Sequence, residues 1–307
     1  MTFKEALAKG IIEDLPDKEY HAIEAIGSSP MKMFHDCPAK AFSPIEVTDD
    51  MNLGAGQDAY SLVSPEHFHK LFAVPPDFGD LRNPKNKESA VNWSLENGGK
   101  IMLPATVTSK KIPTMKAIED VDHYLFHEHP MTKRILRTGS QQVSMFWKDE
   151  ETGLACKGRI DHLPDPQYRI IFDLKKCARI ERFVYQMEEL RYFLQAGHYS
   201  VGAEMNNQDV DAFSFLAFNF GDPPQVRIVT YDDSDDDRLT KLKNLSKVTL
   251  RLINECRQAD CFPRYPIPFE TQSMAGILGL KSKIAQQLTP FMMSETAPIP
   301  RCLFGLL

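Results

Sequence analysis

The stretch Lys157 to Lys176, KGRIDHLPDPQYRIIFDLKK, reads as two strands joined by a turn. Its first half continues the apolar-rich run Leu154 to Leu163, and the cluster Pro164-Asp-Pro-Gln breaks it. Tyr168 to Leu174 then supplies β-branched and aromatic residues at strand spacing. A β-hairpin is expected, with Asp161 near the end of one strand and Asp173 near the end of the other. Neighbouring strands bring such carboxylates together around a hard cation that prefers oxygen ligands. Lys175, two residues beyond Asp173, points to the same face of an extended strand. Cation-bound water beside an ammonium group suits phosphodiester hydrolysis, because the metal generates the nucleophile and both charges neutralise the transition state. An Asp-x-Lys on a half-exposed strand is more often a solvated ion pair. Against that, Ile170-Ile171-Phe172 is continuously apolar, as in a strand covered on both faces, where charges are costly unless paired or metal-bound.

Working outward, Val143 to Lys148 predicts a strand before the hairpin, with Asp149 to Gly153 as the turn between them. Glu181 to Met205 predicts the longest helical run. Its apolar residues Val184, Met187, Leu190, Phe193, Leu194 and Val201 recur mostly at three- and four-residue steps, so it should lie on the sheet. Gln195 and Tyr199, at i and i+4, share one face of that helix. Asp211 to Phe220 and Gln225 to Tyr231 predict two further strands, and Leu239 to Gln258 a helix. Before the hairpin the chain predicts short helices up to about residue 45, a helix over 50 to 73 interrupted at Pro65, a short helix at Ala90 to Glu96, and helix over Thr114 to Arg137 with a break at Pro130. A short helix is predicted near Ser273 to Gln287. The sum is an α/β chain: one domain over residues 1–265 with a central mixed β-sheet flanked by helices, and a C-terminal extension, 266–307, that docks on the core or on a neighbouring subunit.

Asp161, then Asp173-Leu174-Lys175, then Gln195-Ala-Gly-His-Tyr199 resembles the PD-(D/E)XK nuclease core with its trailing Q-x-x-x-Y motif. More narrowly, the order of motifs resembles the exodeoxyribonuclease VIII (RecE-type) nuclease domain of phage and prophage recombination. Tyr20-His21-Ala22, Ser28-Ser29 and Met33 to Phe42 resemble its opening. Gly56 to Phe68 (GQDAYSLVSPEHF) resembles its G-x-x-x-H-x-L-x-x-P-x-x-F segment, and Trp93, Gly99-Lys100 and Val143 to Trp147 follow in order. The resemblance implies Mg²⁺ or Mn²⁺ held by Asp161, Asp173 and the Leu174 carbonyl. It also implies that Lys175 orients or activates water, that Gln195 and Tyr199 position the site or the strand, and that Arg159, Lys176, Arg179 and Arg182 contact DNA. Two departures stand out. Tyr60 falls where the family carries a histidine ligand, with His67 or His69 as replacement if the alignment shifts, and Gln142 falls where it carries a glutamate; neutral side chains are poor ligands for hard divalent ions.

The implied activity is digestion of the 5′-ended strand of linear duplex DNA, leaving 3′ overhangs for a single-strand-annealing partner, by a homo-oligomer acting on double-stranded ends. Three readings compete with it: a catalytically weakened homologue that binds DNA ends or a recombination partner, an endonuclease of the same fold, and an interaction protein that touches no nucleic acid. Composition does not choose among them. The chain has 307 residues, 42% hydrophobic and 25% charged, ordinary for a globular protein. Its net charge of −6 is unusual for a DNA binder. The acids gather in Asp232 to Asp237, however, while cations cluster at Arg82 to Lys87, Lys110-Lys111, Lys133 to Arg137, Lys175 to Arg182 and Lys241 to Arg251. The last cluster reads as a solvated helix face, and Lys175 to Arg182 as a DNA contact. Six irregularly spaced cysteines argue for reduced thiols rather than an iron–sulfur cluster or zinc site. Neither a signal peptide nor a membrane span is indicated, which points to the cytoplasm of a bacterial or phage-infected cell.

Overall fold

A computed structural model describes residues 1–107, 111–234, 236–262 and 264. Six strands form one sheet: β1 Ile11–Ile12, β2 Ser140–Lys148, β3 Ala155–Leu163, β4 Ile170–Lys176, β5 Ala212–Phe218 and β6 Val226–Asp232. They lie in that spatial order. Every neighbouring pair is antiparallel except β4 and β5, which run parallel from Ile170↔Ala212 to Lys176↔Phe218. A parallel pair needs a crossover, and the chain between them supplies helices. The fold is therefore the mixed α/β sheet with flanking helices that the sequence predicts.

Five helices matter for the site: α1 Ser28–Asp36, α2 Asp49–Asp58, α3 Phe183–Glu189, α4 Tyr192–Met205 and α5 Arg238–Gln258. The run expected as one helix over Glu181 to Met205 is divided into α3 and α4 by Arg191, whose φ of 53° is left-handed. The longest helix is accordingly α5, of 21 residues. Apolar periodicity carries through the break, which is why the division is invisible in the pattern. The helix predicted over Thr114 to Arg137 is likewise Thr114–His123, a π turn at Tyr124–Glu128, and Thr132–Ile135. The helix expected near Ser273 to Gln287, and the extension 266–307, lie outside the described residues.

Alternation along β4 and β5 assigns the two faces. Ile171, Phe213, Phe215 and Ala217 join Met31, Phe34, Trp147, Tyr199, Leu242 and Ile253 in one core, beneath α1, α4 and α5. Phe172, Leu174, Leu216 and Phe218 join Leu53, Phe68, Ile118 and Leu125 in the other, beneath α2 and Thr114–His123. The sheet is buried on both faces, which explains the continuous apolar runs in β4 and β5. Two close approaches bring α4 down. A Cβ at Gly197 would lie 2.1 Å from the Leu242 carbonyl of α5, and one at Gly202 would lie 2.5 Å from the Trp147 ring of β2. Glycine at both places lets the helix that carries Gln195 and Tyr199 seat closely on sheet and neighbour.

Candidate active site

β3 and β4 meet in register at His162↔Phe172 and then part. Asp161 fills the gap where a ladder bond would fall: its Oδ2 accepts the Leu174 backbone N–H at 2.8 Å, and its Oδ1 accepts from Gln142 Nε2 at 3.4 Å. Gln142 stands across from Asp161 in the β2–β3 register, between the pairs Gln141↔His162 and Val143↔Ile160, and holds a positive φ of 51°. A left-handed non-glycine residue inside a strand costs on the order of 1–3 kcal/mol, and such strain is tolerated where a side chain must be aimed. The residue placed at the family's glutamate position therefore does face the site, as a neutral donor to Asp161.

Asp173, on β4, is buried. Its Oδ1 accepts from Gln195 Nε2 of α4 at 2.5 Å, and its Oδ2 pairs with Lys175 Nζ. Gln195 and Lys175 between them occupy both oxygens of this buried carboxylate. Lys175 Nζ also donates to the Leu174 carbonyl at 3.2 Å. One ammonium thus covers two oxygens that a divalent cation would take. Tyr199, one turn beyond Gln195, lays its ring over Gly158 of β3, where a Cβ would come within 2.9 Å of it, and its hydroxyl lies 3.5 Å from Ser28 Oγ of α1. The structure brings Asp161, Asp173, Lys175, Gln195 and Tyr199 to one place.

It adds Asp58, which the sequence reading missed. At the end of α2, Asp58 interacts electrostatically with Asp161, Lys175 and Asp173. Tyr60, by contrast, turns away: the charges it meets are Glu119, Asp122 and Glu66, and its ring stands edge-on to Phe68 at 5.7 Å. His69 also lies edge-on to Phe68, and the His67 backbone N–H donates to the hydroxyl of Ser64, which caps the helix start. The reason is local. A π turn, Ala59–Val63, follows α2, so Tyr60 leaves the α-helical phase that carries Asp58. The signal available in GQDAYSLVSPEHF was chemical: Asp58 is the acid preceding Pro65.

Three carboxylates against one site lysine leave excess buried negative charge, and the titration behaviour shows it. Burial, then the charge of Asp173, pushes Asp161 up to about 7. Burial and then Asp161 raise Asp58 well above the carboxylate range, and burial raises Asp173. Burial works against the charge of Lys175, but Asp173 and Asp161 outweigh it and hold its proton more firmly than usual. Among the described residues no three His, Cys, Asp or Glu side chains stand as a ready-made cation cage. The donor set nevertheless fits a hard divalent ion: the carboxylate oxygens of Asp161 and Asp173 and the Leu174 carbonyl, the last two now covered by the Lys175 ammonium.

A stability prediction follows with a definite sign. The folded-state pKa of Asp161 lies above its unfolded value near 3.8, so its contribution is complete at low pH and lost as pH rises through about 7. Cation-free Asp161→Asn should therefore melt higher than the parent at pH 8, by about 2–4 °C or more for a chain of this size, with the gap narrowing at pH 5. Thermal melts in chelator at the two pH values check this, and a variant less stable at pH 8 would show that the carboxylate is not strained there.

Of the four cations expected on DNA, Arg159 is a correction. It is tied to Asp17, donates to the Leu15 carbonyl at 2.7 Å and to Ser144 Oγ at 3.2 Å, and stacks 4.3 Å from the Tyr20 ring centroid. It fastens the N-terminal helices to β3. Lys176 pairs with Asp50 of α2, while Arg179 and Arg182 are exposed on the turn after β4. On α5, Lys241, Lys243 and Arg251 pair with Asp236, Glu204 and Glu151, as a solvated face does.

Two acids and a lysine on adjoining strands of a mixed sheet, with Gln and Tyr from the crossover helix, define the PD-(D/E)XK class. Residues 27–266 match the family described as PDDEXK-like domain of unknown function (DUF3799), and the chain belongs to that family. No curated protein matches it. Among solved structures it resembles a crystal structure from Eubacterium rectale titled "Putative exonuclease", at 16% identity and a TM-score of 0.54, covering 82% of this chain and 90% of that one. At that identity the likeness supports the fold. No described helix is long and apolar enough to cross a membrane.

Proposed function

We propose that the chain is a divalent-cation-dependent DNA nuclease, acting as an exonuclease on the 5′-ended strand of linear duplex and leaving 3′ overhangs for a single-strand-annealing partner. The observation that carries the nuclease reading is the convergence of Asp58, Asp161 and Asp173 on Lys175, with Gln195 fixing Asp173. The exonuclease direction, the annealing partner and a homo-oligomer rest on the motif order alone.

Asp161, Asp173, the Leu174 carbonyl and Asp58 would hold Mg²⁺ or Mn²⁺, and the cation supplies an activated water and a counter-charge to the phosphate. The protein residues do the rest. Lys175 is a cation at neutral pH rather than a base, so it would serve by neutralising charge on the phosphate oxygens. Gln195 keeps one Asp173 oxygen turned away from the cation. Tyr199 buttresses β3 through Gly158, holding Asp161 at its distance from β4. Against the weakened-homologue reading, Asp58 would offer a carboxylate to the site where the family's histidine ligand is missing at Tyr60.

End-labelled linear duplex and a closed circle of the same sequence test this together. With Mn²⁺ the linear form should lose label from the 5′-ended strand and the circle should survive. Cleavage of the circle would make the protein an endonuclease, and binding without cleavage in either cation would leave a DNA-end-binding homologue.

A further inference from the structure

Among the described residues, several cations packed around the site have side-chain or carbonyl partners, and Lys32 does not. Lys175 pairs with Asp173, Lys176 with Asp50, Arg191 with Asp36 and Arg159 with Asp17. Lys157, which is buried, donates to the Tyr20 and Ile23 carbonyls at 2.9 and 2.7 Å. Lys32, on α1, forms neither an ion pair nor a hydrogen bond among the described residues. Its contact is the face of Tyr192, 5.3 Å from the ring centroid. Lys175 lies over the same ring at the same 5.3 Å. Tyr192 is itself stacked on Phe215 of β5 at 5.6 Å and cannot swing aside freely.

An ammonium carries three donors and no acceptor, and withholding acceptors from it out of water costs free energy. One ring face returns only part of that cost. Burial and the neighbouring Lys175 hold the Lys32 pKa down at about 8, and the opposing influence is Asp173, so the ammonium lies within electrostatic reach of the site's centre. The carboxylates offer it no contact. What is missing is an anion that enters from outside.

We infer that Lys32 binds the scissile phosphate of the DNA strand, donating to a non-bridging oxygen so that the phosphate sits between the Lys32 and Lys175 ammonium groups. This rests on the nuclease reading and adds a substrate-binding residue to it. Two cations around one phosphate, in a desolvated site, stabilise the charge that grows there as the bond to the attacking water forms.

Lys32→Met removes the charge with little change of shape, and Lys32→Arg keeps it. Single-turnover cleavage of linear duplex with Mn²⁺ should fall by about a hundredfold in Lys32→Met and recover by at least about tenfold in Lys32→Arg. Calorimetric Mn²⁺ affinity should hold or tighten, since only a like charge is lost, and the melting temperature should not fall. The loss should be equal on duplexes with 5′-hydroxyl and 5′-phosphate ends. DNA affinity in Ca²⁺, read by anisotropy, should weaken with a salt slope reduced by about one. Cleavage by Lys32→Met at the parent's rate overturns the inference, as does a loss confined to 5′-phosphorylated ends. If the parent cleaves nothing with any cation, the nuclease reading fails by itself, and the salt slope decides for Lys32: an unchanged slope removes it from the phosphate.

Discussion

Asp173→Asn should cut DNA at a rate on the order of a thousandfold below the parent, while keeping its fold. The size follows from what is lost. Asp173 is a buried carboxylate with one oxygen engaged by Gln195 and the other paired with Lys175. An amide removes the anion that would hold the cation, and cation catalysis contributes several kcal/mol, with each 1.36 kcal/mol worth tenfold. The fold should survive because burial already disfavours the charged form, which is why the Asp173 pKa is raised. Asn keeps an oxygen that can accept the Gln195 donor. Single-turnover cleavage under saturating Mn²⁺, beside a thermal melt, measures both halves. A variant cutting as fast as the parent would remove Asp173 from the chemistry.

Asp58→Asn should cost at least about a hundredfold in cleavage, and Tyr60→Phe less than about twofold. The contrast separates two residues two positions apart on one segment. Asp58 answers electrostatically to Asp161, Lys175 and Asp173, and an amide there removes one of three anions around the cation. Tyr60 meets Glu119, Asp122 and Glu66, and removing its hydroxyl leaves the ring against Phe68 intact. For the same reason Tyr60→His adds no ligand to the site. Equal losses in the two variants, at equal melting temperatures, would mean that the π turn does not set the phase of this segment.

How far the sequence carried depended on where the information lay. The hairpin was legible because Pro164-Asp-Pro-Gln interrupts two runs of strand composition, and the pairing of Asp161 with Asp173 follows from period-two alternation on adjoining strands. Gln195 was legible as an i,i+4 partner of Tyr199, and its donation to Asp173 is what that spacing allows. Asp58 was not, because the motif match drew the reading to Tyr60, and composition does not mark the π turn in which Tyr60 lies. Arg191 was hidden similarly: a single left-handed residue divides α3 from α4 without disturbing the apolar pattern. Arg159 looked like a DNA contact because a cation beside a catalytic acid does so in sequence; its partners Asp17 and Leu15 come from some 140 residues away. Lys32 gave no signal, since its meaning lies in the absence of an acceptor and in a ring that it shares with Lys175.

The central claim is that Asp58, Asp161 and Asp173 share one divalent cation. Calorimetric titration of the folded protein with Mn²⁺ at pH 8, where Asp161 has lost its proton, tests this directly. The parent should bind Mn²⁺, and Asp58→Asn, Asp161→Asn and Asp173→Asn should each weaken binding by at least about tenfold, with Tyr60→Phe unchanged. A parent that takes up no Mn²⁺ at millimolar concentration, or an Asp58→Asn variant that binds it as tightly as the parent, would contradict the account.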